Sequence, residues 1–152
     1  MHIEVVMTLP REAASVPMAR HAVSTALETA GVTDDCVQDV GVALTEGCVH
    51  VCRHARSDDV YDVAVELEDQ QLTIDVHTTA GGGYGALPEK RETAADITSE
   101  EGPGMALMRA MADQAMFDAT TGGHDWVHLV KQLRWVDTAV TDEAWPGPLS
   151  PA

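Results

Sequence analysis

Within the stretch LTEGCVHVCRHA (residues 44–55), a carboxylate at Glu46 and imidazoles at His50 and His54 stand four residues apart, with thiols at Cys48 and Cys52 between them. Carboxylates and imidazoles are the side chains that move protons near neutral pH and that hold metal ions. On a helix each step of four residues drifts by only about 40°, so the three share one face. Two chemistries are open: proton handling at Glu46, and metal chelation by the His50 and His54 pair. The metal reading is the weaker one. The order is not HExxH, no second cluster of Cys or His has ligand spacing, and Cys48 falls on an apolar stripe where a free cysteine is ordinarily a small buried hydrophobe.

The elements that must position these residues can be read from periodicity. HIEVVMTL (residues 2–9) is β-branched and apolar and ends at Pro10, as a strand does. Ser15 is placed to cap a helix running to Ala30, with Pro17 in its first turn, Gly31 at its end, and Val16, Ala19, Val23, Ala26 and Leu27 at helical spacing. A second helix begins at Thr33 or Asp34 and reaches Ala55, with Val37, Val40, Leu44, Cys48 and Val51 as its buried stripe and Glu46, His50 and Arg53 on the polar side. Residues 60–68 and 71–78 alternate as half-buried strands joined by Asp69 and Gln70 in a hairpin. From Thr79 to Gly104 the chain is polar and glycine-rich, longer than a passive connection, and reads as a functional loop. A short helix follows with Met105, Met108 and Met111 at helical spacing, then two strands, QAMFDATT (residues 114–121) and WVHLVKQLRW (residues 126–135), on either side of Gly122 and Gly123. This order gives an α+β two-layer sandwich, helices on one face of a mostly antiparallel sheet, as a single domain over residues 1–135. Residues 136–152 hold three prolines and little periodicity and are expected to form a flexible tail.

Composition narrows the function. The 152 residues carry a formal net charge of −16 with only nine Lys and Arg, so few cations are available to displace counterions from a nucleic-acid backbone, and no nucleic-acid partner is expected. The three cysteines, Cys36, Cys48 and Cys52, cannot all pair and fall in one helix, which suits a reducing compartment. No run of about 18 uncharged apolar residues occurs, and the N-terminal stretch carries charges where a signal peptide needs an apolar core, so a cytoplasmic protein without a membrane partner is expected.

The sequential arrangement of Glu46 on a helix, a strand ending in VHTTAGGGYG, a long loop, GPGMALMRAMAD and finally GGHDWVHLVKQL resembles the GHKL (histidine-kinase-like ATPase) superfamily. Within it the pattern is similar to the small anti-sigma-factor serine kinases of bacterial partner-switching systems, over about residues 2–134. The resemblance implies a Bergerat-type fold and a helix whose Glu acts as general base or water-positioner, here Glu46. It implies an Asn four residues later as magnesium ligand, a position held by His50. It implies an Asp-x-Gly-x-Gly turn whose Asp accepts a hydrogen bond from the adenine amino group. Matching the glycines to Gly81 and Gly83 puts Thr79 in the place of that Asp. A second glycine turn that cradles phosphates is kept as Gly102 and Gly104, and the small hydroxyl expected before the last strand is replaced by Asp125 and Trp126.

An imidazole is a poor oxygen substitute for a hard cation, and a threonine hydroxyl lacks the charge assistance of a carboxylate. The resemblance therefore implies a regulatory protein, closer to a pseudokinase than to an enzyme, that holds a sigma factor or an STAS anti-anti-sigma protein while its affinity for ATP and magnesium is weakened or lost. Two other functions stay open at the level of sequence. One is an active protein serine/threonine kinase using Glu46 as base and His50 in an altered metal set, and the other is a metal-binding sensor using His50 and His54. A homodimer is implied by resemblance alone.

Overall fold

Alternating side chains build the sheet and a 3.6-residue stripe builds each helix, and both apolar surfaces meet in one layer. The computed structural model describes residues 1–54, 60–78, 103–119 and 125–136. In chain order these form β1 (His2–Pro10), α1 (Ser15–Ala30), α2 (Asp34–His54), β2 (Val60–Glu68), β3 (Gln71–His77), α3 (Pro103–Met111), β4 (Gln114–Ala119) and β5 (Asp125–Gln132). The five strands make one antiparallel sheet in the order β1-β2-β3-β5-β4, and the three helices described pack on one of its faces. The α+β two-layer reading is thus the fold the chain adopts. No helix among the described residues is long and apolar enough to cross a membrane.

The core lies between the layers. From the sheet come Tyr61, Val63, Val65, Leu67, Leu72, Ile74, Val76, Val127 and Leu129. From the helices come Val16, Ala19, Val23 and Leu27 of α1, Val37, Val40, Leu44, Cys48 and Val51 of α2, and Met108 of α3. The stripe read from the sequence of α2 is therefore the buried one. The β2–β3 hairpin closes through Asp69 and Gln70, with Glu68 opposite Gln71 and Asp69 at φ 55°, a left-handed conformation that Asp tolerates better than bulkier residues.

Two details differ from expectation. Ser15 is not the cap of α1: the capping position is Ala14, which makes no side-chain cap bond. The Ser15 hydroxyl donates instead to Glu12 O at 2.7 Å and lies 2.7 Å from the Tyr61 hydroxyl, which gives the fully buried phenol a polar partner. The last strand ends at Gln132 rather than running on to Trp135, and Trp135 bridges to Val32. Of the expected tail, Val136 still donates its amide to Gly31 O at 2.7 Å, and residues 137–152 lie outside the described residues.

The sheet face turned away from the helices carries a polar network at its centre. Asp75, 8% exposed, accepts from Trp126 Nε1 at 3.2 Å and lies 2.7 Å from His128 Nδ1, while the indole stacks on the His128 ring with centroids 5.6 Å apart. One strand over, Asp62 accepts from Thr8 Oγ1 at 2.6 Å and sits 3.7 Å from His77 Nε2. Removing a buried acceptor strands its donors, at a cost of about 1–3 kcal/mol. Asp75→Ala should therefore lower the unfolding free energy in urea by about that amount, with Asp75→Asn falling between the two.

Burial pushes the Cys48 thiol up to about 12, the neighbouring Cys52 adds to the effect, and a hydrogen bond with Tyr61 opposes it. The raised pKa belongs to the folded state, so its stabilising contribution is complete below the ordinary thiol value of about 8.5 and is lost as pH climbs toward the folded value. Urea unfolding at about pH 10.5 should show lower stability than at about pH 7, and Cys48→Ala should shrink that difference.

Candidate functional site

The polar side of α2 meets the first turn of α3. Glu46 is half-buried, one helical turn before His50, and its carboxylate lies directly over Gly104. A Cβ built at Gly104 would fall 2.5 Å from Glu46 Oε2, closer than real Cβ contacts come, so the carboxylate occupies the space a side chain there would need. Glu46 has no hydrogen-bond or ion-pair partner among the described residues. A half-buried carboxylate in that state is positioned to accept a proton or a hydrogen bond from a molecule entering beside α3. The adjoining Gly47 brings the helix backbone against the sheet: a Cβ there would meet Val127 Cγ1 at 3.5 Å, Val76 Cγ2 at 3.7 Å and Met108 Sδ at 3.8 Å.

His50, on the next turn, presents its ring edge to Phe117 of β4, with centroids 5.7 Å apart and planes at 64°. The guanidinium carbon of Arg109, from the last turn of α3, lies 5.7 Å from the centroid of the same ring. Phe117 thus gathers an imidazole from α2 and a cation from α3 onto one aromatic surface, an arrangement favourable to the cation through the ring quadrupole. The helical spacing did bring Glu46 and His50 to one side of α2. His54 ends the helix, and its side chain is outside those described. Among the described residues no group of three His, Cys, Asp or Glu side chains is arranged to hold a metal ion.

Of the other expected positions, Thr79, Gly81, Gly83 and Gly102 lie outside the described residues, while Gly104 stands in the first turn of α3 against Glu46. Trp126 lies on the sheet face away from Glu46. Alternation along β5 sends Val127 and Leu129 to the helices and Trp126 and His128 to the opposite face, where the indole is bonded to Asp75. A one-residue offset in a strand exchanges the two faces, and it is Val127 that approaches Gly47. A residue that the motif reading missed is Thr78, 3% exposed, whose hydroxyl has no partner among the described residues. It continues by position the row Leu72, Ile74, Val76, which the strand period already marks as the helix-facing one. Glycine spacing had drawn attention to Thr79 instead.

The site thus consists of a helix bearing an acidic residue over the first turn of a second helix, both laid on an antiparallel sheet. This chain belongs to the histidine kinase-like ATPase domain family, whose model matches residues 9–131. Among solved structures, the RsbU and RsbW domains of Rv1364c from Mycobacterium tuberculosis superpose on 88% of this chain with a TM-score of 0.64 at 17% identity, a likeness of fold. The chain spans 34% of that solved chain. No curated protein matches the sequence.

The family implies ATP and magnesium, and the two fare differently against the residues present. The open carboxylate at Glu46 and the orphaned buried hydroxyl of Thr78 fit a ligand rich in hydrogen-bonding groups. Magnesium does not fit. It demands oxygen ligands, and the residue one turn after Glu46 offers an imidazole packed edge-on to Phe117.

The contact between Glu46 and Gly104 has a direct consequence. Because the carboxylate is the far end of a flexible side chain, Gly104→Ala should displace it at a stability change of no more than about 1 kcal/mol, the size of the Gly-to-Ala helix difference. The side-chain carboxyl 13C resonance of Glu46 should move in that variant while the melting curve stays close to the parent's.

Proposed function

We propose that this protein is a regulatory component of a bacterial partner-switching system, one that binds a sigma factor, an STAS anti-anti-sigma protein or both, with affinity for ATP·Mg weakened. The observation that carries the reading is the state of His50. It stands where members of the family with this motif order place a magnesium-binding amide, and its ring is engaged with Phe117. The fold likeness to a solved chain that includes an RsbW domain supports the same placement within the family. Weakening at two positions, His50 and the residue that takes the place of the adenine-binding Asp, is enough to matter. The charge-assisted hydrogen bond lost at the adenine position costs about 1.5–3 kcal/mol, roughly tenfold to a hundredfold in affinity, and the lost magnesium ligand adds to it. A net charge of −16 favours a basic partner and fast, salt-sensitive association.

A second reading has one observation in its favour. The unpartnered carboxylate of Glu46 is what a general base would need, so an active protein serine/threonine kinase that phosphorylates an STAS antagonist is the competing function. Calorimetric titration with Mg-ATP decides between them. The unmodified chain is expected to show no saturation at tens of micromolar, and the His50→Asn, Thr79→Asp double variant is expected to bind more tightly. Micromolar binding with phosphate transfer to an antagonist would establish the kinase instead. Affinity capture from the native host, with association rates measured against ionic strength, tests the regulatory reading: a sigma factor or STAS protein with rates that fall as salt rises is the expected result.

A further inference from the structure

We infer that the Thr78 hydroxyl reads the base of a nucleotide held between α2 and the sheet, and that, because this group both donates and accepts, the site takes 6-oxopurine and 6-aminopurine nucleotides alike. This deepens the reading of the chain as a regulator with a weakened nucleotide site, and it rests on that reading in taking a nucleotide as the ligand.

The seating of α2 on the sheet places Thr78. Asp39 holds Lys131 of β5 at 3.4 Å, Val40 and Ala43 share a crevice with Ile74 and Leu129, and Gly47 stands against Val76 and Val127. Each helical turn, about 5.4 Å, therefore advances by one helix-facing row of the sheet, about 6.7 Å. Thr78 follows β3 directly and continues its row after Val76, so it comes under the turn that carries His50 and Val51, the turn after Glu46. It is 3% exposed, and its hydroxyl has no hydrogen-bond partner among the described residues. Tyr61, which the β2–β3 register brings beside it, pairs its own hydroxyl with that of Ser15.

A buried hydroxyl without a partner destabilises the protein until a ligand completes it. The fully buried residues at this level, Val51, Val76 and Tyr61, are uncharged, so the place suits the flat, neutral end of a nucleotide rather than its phosphates. What the group can read follows from its hydrogen-bonding capacity. A carboxylate only accepts, so it pairs with the 6-amino group of adenine and opposes the 6-oxo group of guanine, whereas a hydroxyl rotates to accept from the first or donate to the second. A polar group that can meet both ligands discriminates weakly between them.

The test is ligand-observed NMR of the full chain with ATP and with GTP, each up to millimolar concentration and both at the same magnesium level. The expected result is a pair of dissociation constants within about threefold of each other, a loss of about fivefold or more for both nucleotides in Thr78→Val, and a preference for ATP of about tenfold or more in Thr78→Asp. Without nucleotide, Thr78→Val should melt at or above the parent's temperature, because it keeps the side chain's shape and removes a hydroxyl that has no partner. That melting curve tells a ligand-reading hydroxyl from a structural one, and together with the Thr78→Val affinities it decides the matter if the buried carboxylate of Thr78→Asp prevents folding. A preference for ATP of about tenfold or more in the unmodified chain overturns the proposal. So does unchanged affinity for both nucleotides in Thr78→Val, a lower melting temperature in that variant, or no binding of either nucleotide. Thr79→Asp is the comparison, and an ATP preference that appears there and not in Thr78→Asp also overturns it. Partner capture is scored separately: a captured partner with no nucleotide bound removes this inference alone, and nucleotide binding without a partner removes the regulatory reading alone.

Discussion

The packing of α2 on the two central strands is the contact on which the rest of the molecule depends. At Gly47 the helix backbone rides within side-chain contact of Val76 in β3 and Val127 in β5, and Leu44, Cys48 and Val51 continue that contact along the helix as fully buried residues. Interiors are close-packed, so a helix seated this firmly has no freedom to rotate. Its opposite face is therefore fixed as well. Glu46 must look at the first turn of α3, and His50 must look at Phe117. The chemistry of the cleft is in this sense a by-product of burying a valine and cysteine stripe, with the polar residues carried on the remaining arc of the same helix.

The two faces of the sheet divide the labour. Among the described residues the helix-facing side is mainly aliphatic, with Phe117, Thr78 and Tyr61 as exceptions, the last satisfying its hydroxyl through Ser15. The opposite side holds two aspartates, each tied across strands to a histidine, with Trp126 and Thr8 completing the pattern. Cross-strand pairs of this kind are favourable only in one register, because a shift by one residue would bring each aspartate among aliphatic side chains. The polar strip thus specifies the alignment of β2, β3 and β5, and it does so on the face opposite the helices.

The fold was legible in the sequence because its elements are strongly periodic. The α2 stripe from Val37 to Val51 and the alternation of residues 60–68 admit no other burial pattern, and the Asp69-Gln70 turn is bounded by polar residues on both sides. Of the candidate site, Glu46 and His50 could be placed together from helical spacing alone. What could not be read was contact between distant elements. Nothing local to His50 announces Phe117 or Arg109, which arrive from β4 and α3 some sixty residues away. The faces taken by Trp126 and Thr78 follow from strand parity, which a motif matched by residue type does not carry. Ser15 was read as a cap from its position before a helix, yet a buried phenol competed for its hydroxyl and won.

The join between the α1–α2 turn and the far end of β5 gives the chain a property of its own. Val136 donates to Gly31 O, Thr33 donates to Arg134 O, and Val32 bridges to Trp135, so three successive residues of the turn are stitched to the stretch just past the last strand. Gly31, at φ 94°, supplies the left-handed bend that ends α1 and turns the chain toward this seam. The stitch links segments more than one hundred residues apart in sequence, fastening them like a belt. Opening either end of that belt exposes the other, so α1 and β5 should protect their amides from solvent exchange as one cooperative unit although they share no strand ladder.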